Sequence, residues 1–182
     1  MLFDGIPAPL LYAHDAQINV VAAYRLASQT TTSIQVRYLG QSTDPVTMPV
    51  SPVSAALFRT STGASVLNSD YSINSMANPA GRGSILILYI TGAGQTDPPS
   101  ADGQIWQTTG ELQQPVSAQL TSYGNAGMVT AATPVLYAGP VPSLVSGVQQ
   151  FNILIPGDLP DSFQTQQFSA GTILNVQVGR NS

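Results

Sequence analysis

The chain of 182 residues contains no cysteine, which removes both a disulfide framework and any thiolate metal site and leaves the redox compartment unread. Charge is nearly as scarce. Asp, Glu, Lys and Arg together make up 8% of the residues, against roughly 25% in an ordinary soluble domain. Five basic residues and a net charge of −4 leave no electrostatic footprint for phosphate, so neither nucleic acid nor an anionic membrane is an expected partner. The longest apolar run, ILILYI at 85–90, is too short to cross a bilayer, and membrane insertion is not expected. Asp4, Gly5 and Pro7 interrupt the region where a signal peptide would carry its apolar stretch. Two readings follow: a cytosolic chain, or a mature or excerpted part of a secreted one in which Met1 need not be the true start.

What remains is apolar, at 43%, with a polar surface built from Ser, Thr, Gln and Asn. Such a surface carries hydrogen-bonding capacity with little mutual repulsion, and it favours contact with copies of itself.

Period-two alternation dominates the chain. SIQVRY at 33–38 places Ile34, Val36 and Tyr38 on one face, and ILNVQV at 173–178 sets Ile173, Asn175 and Gln177 against Leu174, Val176 and Val178. VTMPVS puts Val46, Met48 and Val50 on one face, while Pro49, without an N–H, predicts an edge strand with that position turned outward. SILILYI is apolar on both faces and predicts that Ile85 to Ile90 form a strand covered on both sides or one packed against a neighbour. Turn signals separate the strands: Asp4-Gly5, Gly40, Asp44-Pro45, Gly92 to Gly94, Gly124-Asn125 and Pro156-Gly157. With no helical periodicity beyond a turn or two, the expected fold is all-β, a β-sandwich architecture.

An internal echo divides the chain. APLLYAHDAQINV at 8–20 and TPVLYAGPVPSLVSGVQQFNI at 133–153 share Pro, two aliphatics, Tyr-Ala, and a later Gln-x-Asn. Unit one is read as 1–58, a polar connector with a small hairpin as 59–82, and unit two as 83–182. Aligned on the echo, unit one lacks counterparts of GSILILYITGAG and PVSAQLTS and keeps only Met1, Leu2 and Phe3 before its Asp4-Gly5 turn.

The stretch Asn74, Ser75, Asn78, Pro79, Ala80, Gly83, Ser84, followed by Thr91, Gly92, Gly94, Gln95, Thr96, Asp97, Pro98 and Pro99, resembles the immunoglobulin-like C-terminal repeat of large secreted bacterial proteins of the Solibacter, acidobacterial type. Leu136 to Gly139, Pro142, Leu144, Val145, Gly147, Gln150, Asn152 and Pro156 match the later part of its pattern. The resemblance covers nearly the whole chain. It implies two tandem immunoglobulin-like β-sandwich units, the first lacking N-terminal strands, in an extracellular or cell-surface setting. It implies no activity.

Chemistry is thin. His14-Asp15 is the sole histidine pairing and lies in a short loop, with no nucleophile beside it in sequence. Asp97 and Asp102 match no calcium loop and read as turn makers, and Glu111 is the only glutamate. No cofactor, metal or catalytic residue is expected. Trp106 is a candidate for stacking on a sugar, set against a sandwich plug or interface anchor, and hydroxyl clusters such as Thr30 to Ser33 are candidate acceptors for O-linked glycans, set against plain solvated loop. Tyr12 and Tyr137, Asn19 and Asn152 are expected to tie loops to the frame.

A sandwich without its first strands exposes unpaired backbone groups, each costing about 1–3 kcal/mol if buried without a partner. A strand from a neighbouring identical chain would fill the gap, and head-to-tail repetition of that contact gives a fibre. The expected contact residues are Met1, Leu2, Phe3, Ile6, Val46, Met48, Val50, Phe168, Ile173, Leu174, Val176 and Val178. The competing expectation is a spacer or carbohydrate-binding adhesion module cut from a longer surface protein, with glycans as partners.

Overall fold

In the computed structural model, which describes residues 1–60, 63–124, 127–159 and 172–179, the chain is all-β, a set of small antiparallel sheets with one short 3-10 helix at Tyr24–Ser28. The largest sheet is organised by Ile85–Thr91. This strand pairs along its whole length with Val148–Leu154, which pairs in turn with Val135–Gly139; its other side takes Val66–Leu67 and Ala56–Leu57. Leu86, Leu88 and Ile90 are buried on one face and Ile87 on the other, as a run apolar on both faces requires.

A second sheet of three strands is ordered Gly127–Thr133, Val116–Gly124, Thr172–Val178. Its Ala118 and Leu120 fall in one core cluster with Leu86, Leu88, Ile90, Phe151 and Ile153 of the first, and Leu174, Val176 and Val178 pack against that cluster. The two sheets therefore share one hydrophobic layer. Along the last strand exposure alternates, Ile173, Asn175 and Gln177 being exposed and Leu174, Val176 and Val178 half-buried, which is the pattern read from the sequence.

The N-terminal part builds its own sheet, ordered Ile6–Pro7, Leu2–Phe3, Thr31–Gln35, Val46–Pro49. Its core is small: Phe3, Ala8, Ala23 and Leu26, with Met1, Val20, Ile34 and Val50 against them. SIQVRY does not run straight through. The strand stops at Gln35, and Arg37–Tyr38 folds onto Gln41–Ser42 across Leu39 and Gly40, both at positive φ, with the Val36 N–H held by the Thr43 hydroxyl. This leaves Tyr38 and Leu39 in solvent. Within the expected connector, Arg59–Thr60 and Gly63–Ala64 form a hairpin, while Val66–Leu67 joins the large sheet.

The Asp4-Gly5 turn closes the first hairpin with both residues at positive φ (51° and 79°), the backbone a two-residue loop demands. The Asp4 carboxylate accepts from the Ser33 N–H at 2.8 Å and the Thr32 hydroxyl at 2.8 Å, and these bonds, the backbone one first, hold its pKa below the ordinary carboxylate value. A folded pKa below the unfolded value of about 3.9 stabilises the fold at higher pH, and the contribution is lost as pH falls through the folded value. We expect Asp4→Asn to make the urea midpoint fall less steeply on acidification than in the wild type; identical acid limbs would show that the turn carboxylate contributes nothing.

Candidate assembly interface

Hydrogen-bond parity decides which strand edges can accept another strand. The Val50 N–H donates to the Thr30 carbonyl, and Ile34, Thr32 and Thr31 stand opposite Val46, Met48 and Pro49. Alternation along an antiparallel ladder then turns Val46 and Met48 inward and Thr47 outward, together with Pro45 and Pro49. Consistently, the Ser33 carbonyl faces away from this strand and accepts from the Asp4 N–H. The outward edge thus carries a single N–H, from Thr47, between two prolines. At the opposite edge the Ala8 N–H donates to the Met1 carbonyl, so Pro7 is the outward residue. Both edges of the N-terminal sheet are blunted by proline.

Its expected contact residues divide accordingly. Phe3 is buried, Met1 and Val50 pack on the small core, and Leu2 is half-buried in the middle of the sheet. Ile6, Phe3, Ile34 and Val46 stand side by side on one face of the sheet, and this apolar row emerges into solvent at both ends, with Ile6 44%, Val46 58% and Met48 46% exposed. These side chains are available for packing, whereas the backbone beside them is not suited to a continuous ladder.

The tail differs. The Gly179 N–H donates to the Pro115 carbonyl, and Val178 stands opposite Val116, so the outward backbone groups of the last strand are those of Leu174, Val176 and Val178. By the same parity the outward groups of Gly127–Thr133 are those of Met128, Thr130 and Ala132. Among the described residues each of these strands pairs on one side only. None of the three strands contains a charged residue or a proline, the usual devices that keep edges apart. Phe168 lies outside the described residues.

The motifs that carried the family resemblance serve the frame. Asn68, Asn74 and Asn78 form an amide network in which Asn74 donates to Asn68 at 2.8 Å and Asn78 to Ser72 at 2.8 Å. The Gln95 side-chain oxygen accepts from the N–H groups of Thr96 and Ser100, and fully buried Thr96 donates to the Pro98 carbonyl at 2.8 Å. Gly92, at φ +72°, passes Ser54 so closely that a Cβ would stand 2.3 Å from its carbonyl oxygen. Trp106 is 3% exposed and fills the space beneath Gly110; its ring has no face open to a sugar. Among the described residues no group of three acidic, His or Cys side chains is placed to hold a metal, and no helix is long and apolar enough to cross a membrane.

A joint between the two halves was invisible in the sequence because its partners are 78 residues apart. The Asp102 carboxylate accepts from the Tyr24 N–H at 2.7 Å and pairs with Arg25 at 3.3 Å. Burial raises the pKa of the Tyr24 hydroxyl, which also accepts from the Gln149 amide at 3.4 Å. Pro9 and Val21 press so closely on Gly103 and Gly147 that a Cβ at either glycine would lie under 3 Å from them.

Comparison of the chain with family models, curated proteins and solved structures finds no match. We expect Asp102→Ala to lower stability by about 2 kcal/mol, the order of hydrogen bonds to a charged group, read as a urea midpoint shift, with Asp15→Asn as the silent control. Equal midpoints for both variants would show that the joint carries no stability.

Proposed function

We propose that the chain is an extracellular structural subunit that assembles head to tail by adding the Thr172–Val178 edge of one copy to the Gly127–Thr133 edge of the next. The observation that carries this reading is the three-stranded sheet free of charge and proline, beside an N-terminal sheet whose edges are proline-blunted. Both outer strands run antiparallel to Val116–Gly124, hence parallel to one another. A translated copy therefore continues the sheet in a parallel ladder. The contact is heterologous and open-ended, which gives a fibre. Leu174, Val176 and Val178 direct their side chains onto the core and their backbone groups outward, so an added strand would extend the hydrophobic layer as well as the ladder.

In this reading the two halves are immunoglobulin-like sandwich units, as the resemblance to secreted bacterial repeats implies. The first is small and incomplete, and its apolar row through Val46 and Met48 forms a secondary packing surface between copies. The role is structural rather than catalytic. A second reading, a spacer or adhesion module of a longer surface protein, is favoured by the Tyr24–Asp102 joint, which would hold the units at a fixed angle.

Val176→Pro is the sharpest test, because its N–H points away from Val116–Gly124 and the internal ladder survives its loss; Ile173→Lys places a charge on the exposed face without touching the core. Wild-type chain should sediment as concentration-dependent polymers and form regular fibres in electron micrographs, and both variants should remain monomeric. A wild-type chain that stays monomeric as concentration is raised would overturn the proposal.

A further inference from the structure

The sequence echo is a structural repeat in detail. In the first hairpin Tyr12, Ala13 and His14 stand opposite Asn19, Ile18 and Gln17, with an irregularity between Leu10 and Tyr12. In the second, Tyr137, Ala138 and Gly139 stand opposite Asn152, Phe151 and Gln150, with the same irregularity between Val135 and Tyr137. The amide bridge recurs as well: Gln17 donates to Asn19 at 2.7 Å and Gln150 to Asn152 at 2.9 Å. Register, bulge and side-chain bridge are shared, so any difference between the two faces comes from what lies over them.

Over the second face passes the chain's own backbone at Gly110. The Tyr137 hydroxyl donates to the Gly110 carbonyl at 3.0 Å, and a Cβ at Gly139 would stand 2.3 Å from that same oxygen. Tyr137, Gln150 and Asn152 are half-buried beneath it. On the first face Tyr12, His14, Gln17 and Asn19 are all exposed. His14 replaces the glycine whose missing Cβ admits the covering backbone, so the first face is closed to a strand approaching in that manner.

In place of the backbone contact stands an aromatic pair. The rings of Tyr12 and His14 are 6.3 Å apart between centroids and within 14° of parallel. The Gln17 and Asn19 amides lie directly across the hairpin, and the Asp15 carboxylate contacts the His14 imidazole at the turn. From these observations we propose that this face binds a neutral saccharide. Aromatic faces are electron-rich and attract the polarised C–H groups of a sugar ring, while two amides, a carboxylate and the tyrosine hydroxyl supply donors and acceptors for its hydroxyl groups. The second hairpin fixes the role of the tyrosine: its hydroxyl reaches across the face to an acceptor oxygen, there the Gly110 carbonyl. The Asp15 carboxylate and the net charge of −4 select against acidic sugars.

His14 is the only histidine in the chain, so its imidazole Hε1 gives an unambiguous NMR signal. The experiment titrates the full-length chain carrying Val176→Pro, distant from this hairpin and monomeric in the assembly reading, with neutral gluco-, manno- and galacto-hexasaccharides while following that signal. At least one sugar should shift it saturably, with affinity reduced about tenfold or more, or 1.4 kcal/mol, in Tyr12→Ala. Asn19→Ala should weaken binding too, and Tyr137→Phe in the covered hairpin should leave it unchanged. No saturable shift with any of the three up to about 10 mM, a concentration sufficient to detect even millimolar binding, would overturn the proposal, as would undiminished binding by Tyr12→Ala.

Discussion

The structure depends on one strand being enclosed on every side. Ile85–Thr91 is paired through all seven residues with Val148–Leu154, and its other edge is divided between Val66–Leu67 and Ala56–Leu57. Because Leu86, Leu88 and Ile90 are nearly inaccessible, a slip of one residue would exchange them for Ile85, Ile87 and Tyr89, side chains of different shape, in a close-packed core. The register of this strand therefore fixes the strands around it. It also fixes the link to the N-terminal half, since Gly92 at its end must pass against the Ser54 carbonyl and so delivers Ala56 and Leu57 to its edge.

Scarcity of charge then decides how the remaining edges behave. The five basic residues are all arginine, so the lysines that commonly keep strand edges apart are missing altogether. Proline does this work on the N-terminal sheet, at Pro7, Pro45 and Pro49, each at an outward position where the lost N–H costs no internal bond. The three strands of the second sheet contain neither device, Pro134 standing just beyond the end of Gly127–Thr133. The sheet's last strand is bound to the core through Leu174, Val176 and Val178, and those same residues turn outward backbone groups that pair with no strand among the described residues. Packing the tail and leaving its edge open are consequences of a single parity.

Much of this was legible. Alternation assigned the faces of the last strand, the doubly apolar run marked the enclosed one, and Pro49 was read as an outward edge residue. The Asp4-Gly5 turn was readable because its two positive φ values suit few other residues. What alternation does not encode is the identity of a neighbour. It assigned Val36 and Tyr38 to the face of Ile34, but the turn at Leu39 and Gly40 folds the segment onto Gln41–Ser42 instead. Trp106 was open to two readings, a sugar platform or a plug, because its burial depends on how the chain folds around it, and the Tyr24–Asp102 joint joins residues that no local pattern links.

The repeat shows where sequence comparison within one chain is most informative. Shared positions, Tyr-Ala and Gln-x-Asn, mark the frame: both hairpins need the same bulge and the same amide bridge whatever surrounds them. The unshared position marks the surroundings. A glycine at 139 permits backbone to lie within hydrogen-bonding reach of Tyr137, while a histidine at 14 fills that space with a ring and leaves its tyrosine in water. The two hairpins thus differ at this position and in their cover, one lying under the backbone of Gly110 and the other presenting an aromatic surface to solvent. The resemblance between the halves explains the fold, and the departure from it gives the first half a surface of its own.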